Sequence, residues 1–350
     1  MKKHLFAICF SAALLAFSVY FALDTFVLST SYRSAREMNT AMFDALSAEV
    51  ESNQSASSSA QAQSAHAVSS GGRQTSARMG KQSRRSSIAS AHSSRESADS
   101  VSSAAETNAA SSSDSTSYQD ENVSITLNSY RVNDTTVYVA DVTLRSAAYL
   151  KTAFANNVYG KNVTATTSSI AQANNAILAI NGDYYGVQEK GYVIRNGVVY
   201  RDSAKGADVL CIYADGTMEV VSDRDYSAEE LVAKGVWQAF SFGPALVENG
   251  SLAVGVDTEV GKAMASNPRT AIGLIDANHF VFVVSDGRTS ESEGLSVYEL
   301  AAFLQSLGVH TAYNLDGGGS STMVFNDQLV NKPTTTGSIR ERSVSDIVYI

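Results

Sequence analysis

His310–Met323 reads H-T-A-Y-N-L-D-G-G-G-S-S-T-M, a short apolar segment that runs into one acid, three glycines and three hydroxyl residues. Ala312 and Leu315 stand among β-formers, so the stretch opens as a strand and sets the Asp316 carboxylate at the strand end. Gly317, Gly318 and Gly319 can take positive φ and bring bare backbone N–H groups up to an anion or a sugar oxygen. The segment then resumes as S-T-M-V-F, a second strand. Strands on both sides separate it from dinucleotide and Walker loops, which open helices, and no G-K-[ST] follows. A plain hairpin turn needs one or two glycines; it needs neither Asp316 before them nor Ser320 and Ser321 after.

Outward from this loop the composition is uneven over the 350 residues. The formal charge is -9, and from Gln119 onward 16 Lys and Arg stand against 26 Asp and Glu. So acidic a domain is a poor polyanion binder, which excludes nucleic acid as a partner and leaves any anionic substrate to a few local arginines. Cys9 lies in the apolar leader and Cys211 in an expected strand, so no disulfide and no cysteine zinc site forms within the domain.

Lys2, Lys3 and His4 precede an uncharged run, Leu5–Leu23. At 1.5 Å per residue its length roughly matches a hydrocarbon core of ~30 Å. No clear A-x-A cleavage pattern follows, so residues 1–28 read as a cytoplasmic start and transmembrane signal-anchor with the rest of the chain outside. Ala35, Met38, Met42 and Leu46 form a weak helical stripe, the expected juxtamembrane helix within 29–50. Residues 51–118 are mainly Ser, Ala and Gln with few large apolar side chains, the composition of a disordered stalk.

The globular part, 119–350, opens with two alternating runs at Val123 and Thr136. Hairpins are expected at Asn196-Gly197 and Asn249-Gly250, helices over Thr166–Asn174, Ser227–Lys234 and Val297–Leu307, and strands over most of the rest. The expected class is α+β, a mixed, largely antiparallel sheet with a few inserted helices.

Three segments share one design, an apolar strand that ends in a polar cluster with glycine. They are Asn181-Gly182-Asp183, Ser285-Asp286-Gly287-Arg288 and Asn314-Leu315-Asp316-Gly317. If their ends meet at one sheet edge, three carboxylates and a guanidinium share a cleft; each alone also suits a turn. Arg269 follows Asn-Pro and precedes an apolar strand, where it awaits either an anion or a structural carboxylate. Arg195, just before a turn, reads as a hairpin residue. Glu299 lies near the glycine loop, but Ser296-x-x-Glu299 is a capping box, which removes it from the catalytic candidates. His279 and His310 have no metal-ligand partner at useful spacing, and no G-x-S-x-G elbow exists.

N-G-D-Y-Y-G from Asn181, G-Y-V-I-R-N-G, F-G-P-A-L-V-E-N-G, N-P-R-T-A-I-G, N-L-D-G-G-G-S-S-T-M and the closing R-S-V-S-D-I-V-Y-I together resemble the phosphodiester glycosidase family over roughly Ala176–Ile350. The resemblance implies cleavage of the sugar C1–O bond of a sugar-1-phosphodiester, here in a wall polymer or exopolysaccharide, without a cofactor. It carries over Asp316, Arg269, the three glycines and Ser320 as site candidates, with Asp183 and Asp286 behind them. Asn181, Arg288, Asn314 and Ser321 join them as expected substrate contacts. In such a site Asp316 is nucleophile or base, Arg269 clamps the phosphate, and Gly317–Gly319 form an N–H cradle. Two other readings stay open: a tethered glycan-binding module, and a metal-dependent phosphodiesterase with Asp183, Asp286 and Asp316 as oxygen ligands.

Overall fold

Runs such as Arg269–Asp276 and His279–Ser285 are buried at nearly every position, which a strand sustains only when both its faces are covered. A computed structural model, which describes residues 2–26, 30–34, 116–258 and 266–350, shows how both faces are covered. An eight-stranded sheet runs in the order Ser251–Leu252, Ala245–Glu248, Thr311–Asn314, Arg269–Asp276, His279–Ser285, Thr135–Leu144, Val123–Val132, Thr116–Gln119. A five-stranded sheet holds Val198–Arg201, Val193–Arg195, Val236–Phe240, Asp208–Tyr213 and Met218–Ser222. A second five-stranded sheet holds Gln328–Leu329, Met323–Phe325, Leu178–Asn181, Asp346–Tyr349 and Lys151–Phe154.

One apolar core is shared by the inner faces of all three sheets: Phe280 and Phe282 from the first, Leu210 and Phe240 from the second, Ile180 and Val348 from the third. Period-2 alternation sends the intervening residues outward, and each outer face is capped by a short helix. Val281 and Val283 pack under Val297–Ser306, Cys211 and Ala239 under Ala228–Ala233, and Ala179 and Ile347 under Thr167–Ala173. The helices begin where their caps dictate: Ser296 with Glu299 and Ser227 with Glu230 close capping boxes, and the Thr166 hydroxyl accepts from the Ser169 N–H.

Every pairing between the described strands is antiparallel, so the expected mixed sheet is corrected to three antiparallel ones. The α+β class stands in its coarse form, β-rich with few helices. At the N-terminus a helix runs Lys2–Phe26, with side chains described at residues 9–21 and 23. Among the described residues no helix is long and apolar enough to cross a membrane. Thr30–Ser34, inside the segment expected as a juxtamembrane helix, is a strand antiparallel to Val158–Lys161. The remainder of that segment and nearly all of the expected stalk lie outside the described residues.

Candidate functional site

The antiparallel registers bring the proposed strand ends together. Ser285 pairs with Arg269, and Asn314 pairs with Ala271, so two strands finish where Arg269–Asp276 begins. Asn181 ends a strand of a different sheet, and its buried side chain joins the two sheets. Its Nδ2 donates to the Asp316 carbonyl at 2.6 Å, while its Oδ1 accepts from the Thr270 hydroxyl at 2.9 Å and the Thr322 N–H at 3.2 Å. The Asp316 N–H in turn donates to the Gly182 carbonyl at 3.2 Å. Asn181 is thereby a fastener of the loop; all its polar atoms are engaged within the protein.

Asp316 sits at this junction, partly exposed at its surface but walled by protein on most sides. Desolvation pushes its carboxyl up to about 6, against the pull of the neighbouring Ser320 hydroxyl, Arg342 and the Gly317 N–H, with the Asp183 charge adding to the rise. Ser320 Oγ is buried beside it without a hydrogen bond of normal geometry.

The glycine triplet plays a different part from the one its sequence suggests. Only Gly318 has a left-handed backbone, with φ 64°. Its N–H is turned away to the Pro268 carbonyl at 2.8 Å, and the Ser320 and Ser321 N–H groups close onto Gly317 and Gly318. Of the expected N–H cradle, the Gly318 N–H is thus engaged within the turn, while the Gly317 N–H is directed to the Asp316 carboxyl. Gly318 and Gly319 also make room for guanidinium groups, whereas Gly317 lies against the Pro268 carbonyl, whose oxygen would be 3.0 Å from a Cβ there. A Cβ at Gly317 would lie 4.0 Å from Arg269 Cδ, one at Gly318 would lie 2.9 Å from Arg288 Nη2, and one at Gly319 would lie 2.8 Å from Arg342 Nη2.

Those three arginines form the cationic wall of the site. Arg269 is buried, its Nε donating to the Leu295 carbonyl at 2.8 Å, and burial together with Arg288 pulls its pKa down to about 10. Arg288 donates from Nε and Nη2 to Asn267 Oδ1 at 3.1 and 2.8 Å; burial and Arg342 lower its pKa. Burial lowers both, and a neighbouring like charge adds to each shift. Among the described residues no carboxylate lies within ion-pair distance of Arg288 or Arg342. Arg288 and Arg342, two neighbouring guanidiniums, offer a binding site for a phosphate-sized anion.

Asp183 is close enough to raise Asp316, but its own oxygens are engaged. Arg195 Nη2 donates to Oδ1 at 2.9 Å and the Ser241 N–H donates to Oδ2 at 3.0 Å. Arg195 Nε also donates to Asp346 Oδ2 at 2.8 Å, and all three side chains are essentially inaccessible to water. Arg195 is in the expected hairpin, paired with Val198, and its side chain is also the centre of a buried carboxylate–guanidinium–carboxylate triad. Gly182 lies against it, since a Cβ there would fall 2.2 Å from Asp346 Oδ1. Asp286 accepts from the Lys332 N–H at 2.8 Å and the Tyr138 hydroxyl at 3.3 Å, so its buried carboxylate anchors the 331–332 loop. Burial raises its pKa. Asn314 Nδ2 donates to the Gly243 carbonyl, and Ser321 accepts from the Thr270 hydroxyl at 3.1 Å. Of the expected residues, the structure brings Asp316, Arg269, Arg288, Ser320 and the glycines together at one loop. Asp183, Asn181, Asn314, Ser321 and Asp286 are committed to holding it in shape.

Arg342 and Asp346 were not singled out by sequence reasoning, although both lie in the closing R-S-V-S-D-I-V-Y-I motif. Among the described residues no group of three or more His, Cys, Asp or Glu is placed to hold a metal ion. The three aspartates of the metal-dependent reading go to separate partners. A separate pocket of about 430 Å³ beside Tyr159, Tyr185 and Arg201 contains neither Asp316 nor the three arginines.

The chain is similar to known proteins. A family model described as phosphodiester glycosidase matches residues 174–350. The SPbeta prophage-derived uncharacterized protein YomE of Bacillus subtilis is 30% identical over 182 residues, 50% of this chain and 28% of that protein. Human N-acetylglucosamine-1-phosphodiester alpha-N-acetylglucosaminidase is 30% identical over 194 residues, 49% of this chain and 36% of that protein. The chain therefore spans well under half the length of these curated relatives. The zebrafish N-acetylglucosamine-1-phosphodiester alpha-N-acetylglucosaminidase catalytic domain, solved auto-inhibited by its pro-peptide, superposes with a TM-score of 0.52 at 20% identity, covering 65% of this chain and 82% of that one. At that identity the likeness is one of fold.

Proposed function

The chain belongs to the phosphodiester glycosidase family, whose members are hydrolases, and from that premise we propose that it cleaves the C1–O bond of a sugar-1-phosphodiester. The observation that carries this reading is an acid next to a run of arginines: Asp316, raised to about 6, lies in the field of Arg342, which neighbours Arg288, which in turn neighbours Arg269. The arginines hold the phosphodiester group. Ionised Asp316 accepts a proton from a water as that water attacks C1, and its charge stabilises the oxocarbenium character of the transition state. The C1–O electron pair leaves on the phosphate oxygen, where the guanidiniums neutralise it. Free sugar and a phosphomonoester are the products. Because a phosphate is a weak base, the departing oxygen needs no dedicated acid, which fits a site in which the second carboxylate, Asp183, is locked to Arg195.

The proposed substrate is a glycan of the cell envelope or an exopolysaccharide bearing an N-acetylglucosamine-1-phosphate-like linkage, by analogy with what the named animal relatives act on. A single-pass anchor at the uncharged Leu5–Leu23 run behind Lys2 and Lys3 supports an extracytoplasmic placement. The test is to incubate the full chain with a GlcNAc-α-1-phosphodiester and identify the products. Free GlcNAc with a phosphomonoester is expected. GlcNAc-1-phosphate would mean P–O cleavage, and binding without turnover would mean a glycan-binding module; either contradicts the proposal.

A further inference from the structure

Left-handed backbone in this chain is almost confined to glycine, asparagine and aspartate; Tyr184, Arg288 and Thr336 are the other residues with positive φ among those described. Thr336 sits in the two-residue turn between the paired strands Thr334–Thr335 and Ser338–Ile339, where a hairpin requires it. Arg288 belongs to the guanidinium wall. Tyr184, at φ 63°, opens a turn in which its carbonyl accepts the Val187 N–H at 3.3 Å, and an aromatic residue is poorly suited to left-handed backbone. Strain of this kind persists where the surroundings impose it and the side chain is needed in one direction.

The direction is informative. Tyr184 lies two residues after Gly182, whose carbonyl accepts the Asp316 N–H, and its ring is 39% exposed between Asp183 and Tyr185, both buried. Burial and the Asp316 charge raise its hydroxyl pKa while Arg342 lowers it, so the side chain lies within the field of both groups. The arginines account for a phosphate and Asp316 for the carbon that reacts, but neither offers a surface for a sugar ring. An exposed aromatic face does, since it is large, rigid and apolar on its plane with a polar tip.

We propose that Tyr184 is the sugar platform of the site: its left-handed backbone projects the ring beside Asp316, where it covers one face of the glycosyl group whose C1 reacts. This inference rests on the hydrolase reading above. It makes Tyr184 a substrate-binding and specificity-determining residue, and makes the site selective for a sugar phosphate over a bare phosphate.

The experiment measures Kd by calorimetry for inorganic phosphate and for GlcNAc-α-1-phosphate, using the full chain and its Tyr184→Phe, Tyr184→Ala and Tyr184→Gly variants. The wild type is expected to bind the sugar phosphate at least tenfold tighter than phosphate. Tyr184→Phe keeps that ratio, whereas Tyr184→Ala and Tyr184→Gly bring it near one with the phosphate Kd unchanged within about twofold. Tyr184→Gly should also raise the thermal midpoint, because glycine relieves the left-handed strain. An unchanged ratio in Tyr184→Ala overturns the inference. So does loss of phosphate binding together with a lower midpoint in both the Ala and Gly variants, which would make the residue structural. If the wild type itself does not distinguish the two ligands, the functional reading fails and the inference fails with it.

Discussion

The side-chain amide of Asn181 donates to the backbone carbonyl of Asp316 at 2.6 Å, joining the end of a strand in one sheet to the glycine loop that leaves another. Asn181→Ala removes this bond, leaves the Asp316 carbonyl and the Thr322 N–H without their Asn181 partner, and leaves the Thr270 hydroxyl with Ser321 alone. Unsatisfied buried groups of this type cost about 1–3 kcal/mol each, and partial relaxation should bring the total to about 3 kcal/mol. Urea denaturation of the variant is expected to show that loss, with turnover falling further than the loss of folded protein explains.

Arg195 and its two aspartates answer to a different rule. Arg195→Met leaves Asp183 and Asp346 buried without their cation, and breaking such a pair costs about 3–5 kcal/mol. The deficit should shrink as the pH is lowered and the stranded carboxyls take up protons. Asp183→Asn, which keeps the shape of the triad, is expected to cost more in thermal midpoint than in turnover.

The pH dependence follows from Asp316. The proposed reaction needs its anion, and its carboxyl sits near 6 in the folded protein, so kcat/KM should fall about tenfold per unit below pH 6 and level off above it. The stability effect has the opposite sign. Because desolvation raises the folded pKa above its ordinary 3.8, ionisation costs more in the folded state, and this group's contribution weakens as pH rises from about 4 to above 6. Asp316→Asn should therefore match the wild-type thermal midpoint near pH 4 and exceed it at pH 7.5.

Much of the frame was legible in the sequence because local signals fixed it. Asn-Gly turns gave both hairpins, Ser296 and Glu299 gave a helix start, and the apolar runs gave the strands. Asp316 with Arg269 was legible because an acid before three glycines and an arginine after Asn-Pro have few local explanations. What the chain order could not show was pairing at long range. Arg195 looked like a hairpin residue and nothing more because its partners Asp183 and Asp346 arrive from other strands, 12 and 151 residues away. Gly318 and Gly319 looked like parts of an anion cradle because nothing near them in sequence reveals that Arg288 and Arg342 fill the space their missing side chains leave.

Glu299 tests how far local reading can be relied on. It closes the capping box with Ser296 and accepts from Asn133 Nδ2 at 2.7 Å, contacts that a glutamine partly reproduces. Glu299→Gln is expected to keep near-normal turnover, whereas Ser296→Ala should lower stability by about 1 kcal/mol through the lost cap. Steady-state rates and thermal midpoints of the two variants check both statements.

The most direct test is the turnover of Asp316→Asn on a GlcNAc-α-1-phosphodiester at pH 7.5, with the thermal midpoint measured on the same preparation. The substitution keeps size and most hydrogen bonding and removes only the charge. A carboxylate that activates water and stabilises the transition state is worth about 10² or more in rate, so kcat should fall at least that far with the midpoint raised. Wild-type turnover by a folded Asp316→Asn protein would show that this loop binds substrate without catalysing its cleavage, and would contradict the account.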